Sequence, residues 1–255
     1  MLNVAPATLT LNASASDSDG KISSVALYNG ATLLGTDTNS PYSYSWAFVP
    51  AGTYTVTSRA TDNQGAVKIS VPLMVTVKPN VLPSVSLSIP APGAGFVSPA
   101  TVGLSANAAD SDGTISKVSF YRDGLLLLGT DTVAPFTYNW NMSAGTFSLT
   151  AVATDDKGAE QTSAAVTVTV VPNQLPTVAI TKPASGANFA APGAIQFQAS
   201  AADSDGTITK VEYYNGGTLI GSATIAPYTF NWSSVGIANY GITAKATDNR
   251  GVSFP

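Results

Sequence analysis

The sequence predicts an all-β protein, a tandem array of three similar antiparallel β-sandwiches. The string Asp-Ser-Asp-Gly begins at Asp17, Asp110 and Asp203, with a step of 93 residues each time. Self-similarity at a fixed period indicates copies of one domain. In addition, apolar and polar residues alternate in short runs separated by turn-forming residues, and no helical period interrupts them.

The composition is that of a folded, non-catalytic chain. Hydrophobic residues make up 44% and charged residues 10%, which excludes a disordered chain. The absence of histidine and cysteine excludes Ser-His-Asp and Cys-His catalysis and histidine-ligated zinc. A net charge of −4 disfavours nucleic acid as a partner, and no apolar run is long enough for a membrane span. We therefore expect no enzyme.

Strand signals follow one another through the middle copy. Predicted strands cover residues 85–89, 102–108, 118–120, 125–128, 136–140, 147–153 and 164–170. Asp123-Gly124 predicts a hairpin turn, as do Asn29-Gly30 and Asn215-Gly216, because both central residues need a positive φ. Short strands at this spacing are typical of an immunoglobulin-like sandwich.

Aromatic residues alternate along one predicted strand of each copy. The sets are Tyr42, Tyr44 and Trp46, then Phe136, Tyr138 and Trp140, then Tyr228, Phe230 and Trp232. Period two places each set on one face. An exposed face would stack against sugars, but each copy has few other large residues, which favours a place in the core.

Two proline-bounded segments predict semi-rigid linkers at residues 79–83 and 172–176. They divide the chain into modules at 1–78, 84–171 and 177–255. Module one has no counterpart of the first strand and module three none of the last, so each terminal module is predicted to lack one strand. Either the chain is a fragment of a longer protein, or neighbouring chains supply the strands and build a filament.

Most aspartates fall in two motifs, Asp-Ser-Asp-Gly and Ala-Thr-Asp, which a sandwich places at the end where the linker enters. Together with Asn80 and Asn173 of the linkers, their oxygens would suit Ca²⁺. Alternatively, the aspartates only form Asx-turns and cap loop amides. Module one, without a linker before it, would bind Ca²⁺ worst. The candidate ligands are Asp17, Asp19, Asp62, Asp110, Asp112, Asp155, Asp203, Asp205 and Asp248.

Three segments of the middle module, residues 110–121, 134–140 and 144–155, carry a family resemblance that extends over essentially the whole chain. They resemble the bacterial Ig-like domains repeated in secreted carbohydrate-active enzymes and large surface adhesins. The resemblance implies non-catalytic modules that space, present or anchor other domains outside the cell, some of which bind glycans. It also implies an extracellular or cell-surface location, although no signal peptide is visible in this chain.

We therefore expect a non-catalytic extracellular spacer or stalk, with Ca²⁺ stiffening its module junctions. One alternative is an adhesion module that binds polysaccharide or a cell surface. Another is a filament subunit that self-associates through open sheet edges by strand complementation.

Overall fold

A computed structural model describes residues 3–255 of the chain. Within this range every regular element is a β-strand, as the alternation of apolar residues predicts. None of these residues forms a helix of the length and apolar character that a membrane crossing requires.

The first repeat forms two sheets that enclose a common core. One sheet has the strand order β1-β8-β6-β3-β4, with β7 paired to β6, and the other consists of β2 and β5. Leu9 and Leu11 from the second sheet share a buried cluster with Leu27, Val56 and Val77 from the first. The strands are β1 (Asn3–Val4), β2 (Ala7–Ala13), β3 (Ile22–Asn29), β4 (Thr32–Asp37), β5 (Tyr42–Val49), β6 (Gly52–Asp62), β7 (Val67–Ile69) and β8 (Leu73–Lys78).

The middle repeat has the same two sheets, and its smaller sheet has one further strand, β9. Their orders are β10-β17-β15-β12-β13, with β16 paired to β15, and β14-β11-β9. The strands are β9 (Ser84–Ile89), β10 (Gly95–Val97), β11 (Ala100–Ala109), β12 (Ile115–Arg122), β13 (Leu126–Asp131), β14 (Phe136–Met142), β15 (Gly145–Asp155), β16 (Glu160–Thr162) and β17 (Val166–Val171). Each predicted strand is confirmed, but β10 and β16 were not predicted, because three residues are too few for alternation to show.

The third repeat has a three-stranded sheet, β18-β19-β22, and a four-stranded sheet, β21-β20-β23-β24. Ile195 and Phe197 of β19 share a buried core with Val211, Tyr213 and Ala246 of the facing sheet. Among residues 3–255, the first repeat has no equivalent of β9 and the third has none of β17, as the sequence predicts. The strands are β18 (Thr177–Lys182), β19 (Gly193–Ala202), β20 (Ile208–Asn215), β21 (Thr218–Ala223), β22 (Phe230–Val235), β23 (Ile242–Asp248) and β24 (Ser253–Phe254).

By the contacts between its residues, the chain divides into two compact units. One comprises the described residues of Met1–Ala91, Gly103–Tyr138 and Ser148–Val166, and the other comprises Pro92–Val102, Asn139–Phe147 and Thr167–Pro255. The linker segments 79–83 and 172–176 lie between strands. The division into three modules at these segments stays a prediction of the sequence repeat.

The hairpin turns differ in detail from the prediction. Gly30 and Gly216 have φ values of 55° and 58°, but Asn29 and Asn215 remain at the ends of their strands. Only the middle hairpin has two successive positive φ values, 53° at Asp123 and 78° at Gly124. The loop there is one residue longer, and the additional Leu125 is 92% exposed. An insertion at this tip leaves the strands in register because it faces solvent.

The alternating aromatic residues pack inward, as predicted. Tyr42, Phe136 and Tyr228 are buried. Each tryptophan meets a second ring edge-on, and the pairs are Trp46 with Tyr54, Trp140 with Phe147, and Trp232 with Tyr240. The middle ring of each set, Tyr44, Tyr138 or Phe230, lies directly over a glycine of the neighbouring sheet, Gly35, Gly129 or Gly221. The stripe is therefore core rather than a sugar-binding platform.

We expect the Gly221→Ala variant to be less stable than the wild type by about 1–3 kcal/mol, because a methyl group there would overlap the Phe230 ring. Gly217→Ala is the matched control on the same hairpin, since a side chain there meets nothing and φ is not positive. Urea unfolding of both variants tests the packing. Equal stabilities would contradict it.

Candidate functional site

The two acidic motifs meet in each repeat through backbone contacts between their loops. In the middle repeat, the Thr114 amide donates to Asp156 Oδ1 at 3.1 Å, and the Asp156 amide donates to the Thr114 carbonyl at 2.9 Å. A Cβ at Gly113 would collide with the carboxylates of Asp110 and Asp156, so glycine lets the loops close. Asn63 and Asn249 accept the equivalent amides, from Lys21 and Thr207, at 3.0 Å. The predicted juxtaposition of the motifs is therefore present.

Asp155 is the most enclosed carboxylate of the middle repeat, with 1% of its surface exposed. Its Oδ1 accepts hydrogen bonds from the amides of Lys157 and Ala159, each 2.8 Å long. Burial acts to raise the pKa of Asp155, but the Asn80 amide and these backbone amides outweigh it and leave the pKa below its ordinary value. Asp155 is thus a stable, ionised cap of its own loop.

The linker segment before the middle repeat binds both motifs. Asn80 Nδ2 donates to Asp155 Oδ2 at 2.6 Å, and the Val81 amide donates to Asp112 Oδ2 at 3.1 Å. The linker before the third repeat makes the same two bonds. Asn173 Nδ2 lies 2.5 Å from Asp248 Oδ2, and the Gln174 amide lies 3.0 Å from Asp205 Oδ2. The structure therefore brings Asn80 and Asn173 to the predicted aspartates.

Several oxygens at these contacts are buried without a hydrogen-bond partner. In the middle repeat they are Asp110 Oδ2, Asp112 Oδ1 and Asn80 Oδ1, which we call the linker oxygen cluster. An unsatisfied buried polar atom costs about 1–3 kcal/mol. Burial raises the pKa of Asp110, and so does the neighbouring Asp112 carboxylate. The hydrogen bond from the Asp112 amide lowers this pKa but does not outweigh them. The cluster therefore lacks positive charge or donors.

The Asx-turns of the first motif are weak. The amides of Asp19, Asp112 and Asp205 lie 3.3, 3.3 and 3.4 Å from Oδ1 of Asp17, Asp110 and Asp203, which is longer than a good hydrogen bond. The second motif differs, because each of its aspartates accepts two amides at 2.8–2.9 Å. Turn capping thus accounts for Asp62, Asp155 and Asp248 better than for the first motif.

Across residues 3–255, no group of three or more carboxylates is arranged as metal ligands. Both Asp155 oxygens already accept bonds from the protein. The oxygens left for a cation are therefore two carboxylate oxygens and one amide carbonyl, the linker oxygen cluster. Oxygen donors of this kind suit a hard cation.

The first repeat lacks the linker contacts among its described residues. Asp17 and Asp62 are half-buried and Asp19 is exposed. Sharing a hydrogen bond with the Asp17 carboxylate raises the pKa of Asp19. Asp62 Oδ1 still caps its loop through Gln64 and Ala66. The site is more open here than in the other repeats.

Sequence reasoning missed Arg250, which enters the site of the third repeat. Its Nη1 donates to the Asp205 carbonyl at 2.9 Å and lies 3.4 Å from Asn173 Oδ1. No pattern pointed to it, because the other repeats have Gln64 and Lys157 at this position. Asp37 and Asp131 were missed as well. Each accepts two loop amides at 2.9–3.0 Å and orders the turn that follows its strand.

We expect the free energy of unfolding to fall once the pH drops below about 4, the ordinary pKa of an aspartate. The pKa of Asp155 and of Asp248 is depressed in the folded state, so their stabilisation is present above that pH and is lost as the pH falls through the folded pKa. Urea unfolding from pH 7 to pH 2 measures it. Asp155→Asn should weaken the dependence, and an unchanged slope would contradict this assignment.

Two curated relatives are carbohydrate-active enzymes. The chain is 28% identical over 253 residues to exoglucanase B of Cellulomonas fimi, covering 95% of this chain and 23% of the relative. It is 32% identical over 163 residues to chitinase ChiA of Flavobacterium johnsoniae, covering 59% of this chain and 10% of the relative. The chain thus spans less than a quarter of the length of either.

Solved structures of tandem modules are also similar. Fibronectin(III)-like modules of Clostridium thermocellum CbhA share 31% identity over 67% of this chain and 88% of theirs, with a TM-score of 0.38. A structure of titin domains covers 98% of this chain and 91% of its own at 14% identity, with a TM-score of 0.41.

The model of one protein family matches the chain three times, once in each repeat. The matches cover residues 3–58, 83–169 and 176–244 and together include well over half of the sequence. The matched segments contain the acidic loops of Asp17, Asp110 and Asp203 and most of the strands described above. The chain therefore belongs to the bacterial Ig domain family.

Proposed function

We propose that the chain is a non-catalytic spacer of a larger protein that works outside the cell. Its relatives are named as an exoglucanase and a chitinase, and the matched region is a small part of each. The titratable residues repeat from module to module, whereas hydrolysis needs an acid and a base paired across one groove. A spacer needs only stable β-sandwich domains and linkers of restricted flexibility.

We further propose that Ca²⁺ stiffens the linker before the middle repeat. The observation that carries this proposal is the linker oxygen cluster, three fully buried oxygens without partners. Asp110 and Asp112 would supply carboxylate oxygens and Asn80 a carbonyl oxygen, with water completing the six to eight ligands that Ca²⁺ takes. Asp155 would not ligate the ion. It positions Asn80 through the 2.6 Å bond.

Linker residues and loop residues would then hold the same ion. The Val81 amide already fixes Asp112 from the linker side at 3.1 Å. A cation that bridges Asn80 and Asp112 would add to that restraint. Because the ion would bind the folded protein alone, it would also raise stability.

We expect Ca²⁺ to raise the unfolding temperature relative to EDTA. At a Ca²⁺ concentration about 100 times the dissociation constant, the stabilisation is about 2.7 kcal/mol. Differential scanning calorimetry measures it. Asp112→Asn should abolish the shift, whereas Asp123→Asn, at the other end of β12, should retain it. An identical transition with Ca²⁺ and EDTA would remove the calcium proposal.

A second candidate function, self-association by strand addition, is favoured by a groove of about 470 Å³ in the third repeat. Phe189, Ile195, Trp232, Tyr240 and Ile242 contribute to its lining. In the middle repeat, β17 pairs in parallel with β10, residues 95–97. Phe189 lies at the position that corresponds to Phe96 in β10. The groove is thus the place that a strand like β17 would fill, and an apolar strand edge recruits such strands.

We expect a labelled peptide with the sequence of residues 164–172 to bind this groove, because Val166, Val168 and Val170 are the buried side of β17. Fluorescence anisotropy measures the binding. Phe189→Ala should weaken it, since Phe189 is 49% exposed and its removal leaves the core intact. A control peptide with serine in place of the three valines should not bind. Equal binding of both peptides would exclude strand addition.

Polysaccharide binding is the third candidate, and it rests on the names of the two relatives. The aromatic stripe does not support it, because those rings pack inward. Retention of the chain on an insoluble glucan or chitin column would favour it over the spacer.

A further inference from the structure

The residue two positions after the second acidic motif differs in each repeat. It is Gln64 in the first, Lys157 in the second and Arg250 in the third, and the residue before it is Asn63, Asp156 or Asn249. The loops share the amide that Asn63, Asp156 and Asn249 accept. The position therefore distinguishes otherwise equivalent sites.

In the third repeat, the arginine turns into the site. Arg250 Nη1 donates to the Asp205 carbonyl at 2.9 Å and approaches Asn173 Oδ1 at 3.4 Å. It also passes close to Gly206, where a Cβ would lie within 2.8 Å of Nη1. Asn173 Oδ1 is the counterpart of Asn80 Oδ1, one of the oxygens of the linker oxygen cluster. In the third repeat, a positively charged side chain thus lies near Asn173 Oδ1, whereas the equivalent oxygen of the middle repeat, Asn80 Oδ1, has no partner.

In the middle repeat, the lysine turns away. Lys157 Nζ pairs with Asp156 Oδ2 at 3.0 Å, and Asn80 Oδ1 keeps no partner. The third repeat has Asn249 in place of Asp156, so its arginine has no neighbouring carboxylate of this kind. The pair of residues, rather than the basic residue alone, decides where the positive charge lies.

We propose that Arg250 is the built-in cation of the third repeat, and that it confines Ca²⁺ binding to the middle repeat. This inference rests on the calcium proposal above. A guanidinium stays charged at every accessible pH, so no change of pH frees the third site. Asp203 Oδ2 and Asp205 Oδ1 keep no hydrogen-bond partner, so Arg250 acts through its charge, which lies 3.4 Å from Asn173 Oδ1 and repels a second cation over this short distance.

The test measures calcium stoichiometry on the full chain by isothermal titration calorimetry in calcium-free buffer. We expect the wild type to bind about one Ca²⁺ per chain in an oxygen site of this kind. Arg250→Gln copies the residue of the first repeat and should raise the stoichiometry to about two. Lys245→Gln removes the same charge from β23 of the same repeat and should leave the wild-type value unchanged.

The reciprocal variant, D156N/K157R, gives the middle repeat the residue pair of the third. Its fold should persist, because Asn249 already accepts the Thr207 amide as Asp156 accepts that of Thr114. We expect its stoichiometry to fall to about zero. Circular dichroism melting without calcium checks the folding of each variant.

The two proposals fail differently. If neither the wild type nor any variant binds Ca²⁺, the calcium proposal is wrong and the inference falls with it. If the wild type binds Ca²⁺ but Arg250→Gln gains no site and D156N/K157R loses none, Arg250 is not the built-in cation and the calcium proposal stands. Binding of two ions by the wild type would also overturn the inference.

Discussion

One buried carboxylate organises the acidic end of the middle repeat and another does so in the third. Asp155 and Asp248 each lie in a site with 1% exposure, where a charge survives only if hydrogen bonds replace its water. Two loop amides and one linker amide do this in each case. The loop and the linker take their positions from this carboxylate, and the linker in turn contacts the first acidic motif through the amide of Val81 or Gln174. Replacing it would therefore disturb three segments at once.

Satisfying that carboxylate leaves other atoms unsatisfied. Asn80 uses its amide nitrogen on Asp155, and its carbonyl oxygen stays buried without a partner, as do Asp110 Oδ2 and Asp112 Oδ1. The linker oxygen cluster is thus a by-product of the way the linker is held. The repeats differ in what offsets it, and the third contains a guanidinium group where the second has none. If the proposals above hold, a change at one loop position gives nearly identical domains different ion requirements.

Much of this arrangement could be predicted from the sequence. Alternation identified the long strands, and the sandwich topology placed both acidic motifs and the linker asparagines together. The three-residue strand Gly95–Val97 could not be predicted, because its pairing with β17 is parallel and distant in sequence. The contacts of Arg250 could not be predicted from the sequence either. Its role depends on the absence of a carboxylate at Asn249, and no periodic pattern records the direction in which a flexible side chain turns.

The hairpin between β12 and β13 has a practical consequence. Its tip accommodates the additional Leu125, which is 92% exposed, without altering the register of either strand. It lies at the end of β12 away from Asp110, since the strand runs from Ile115 to Arg122 between them. A fluorophore or an epitope inserted at this tip would report on extension or attachment of the chain while the acidic loops stay untouched. The natural variation in the length of this loop already marks where foreign sequence is tolerated.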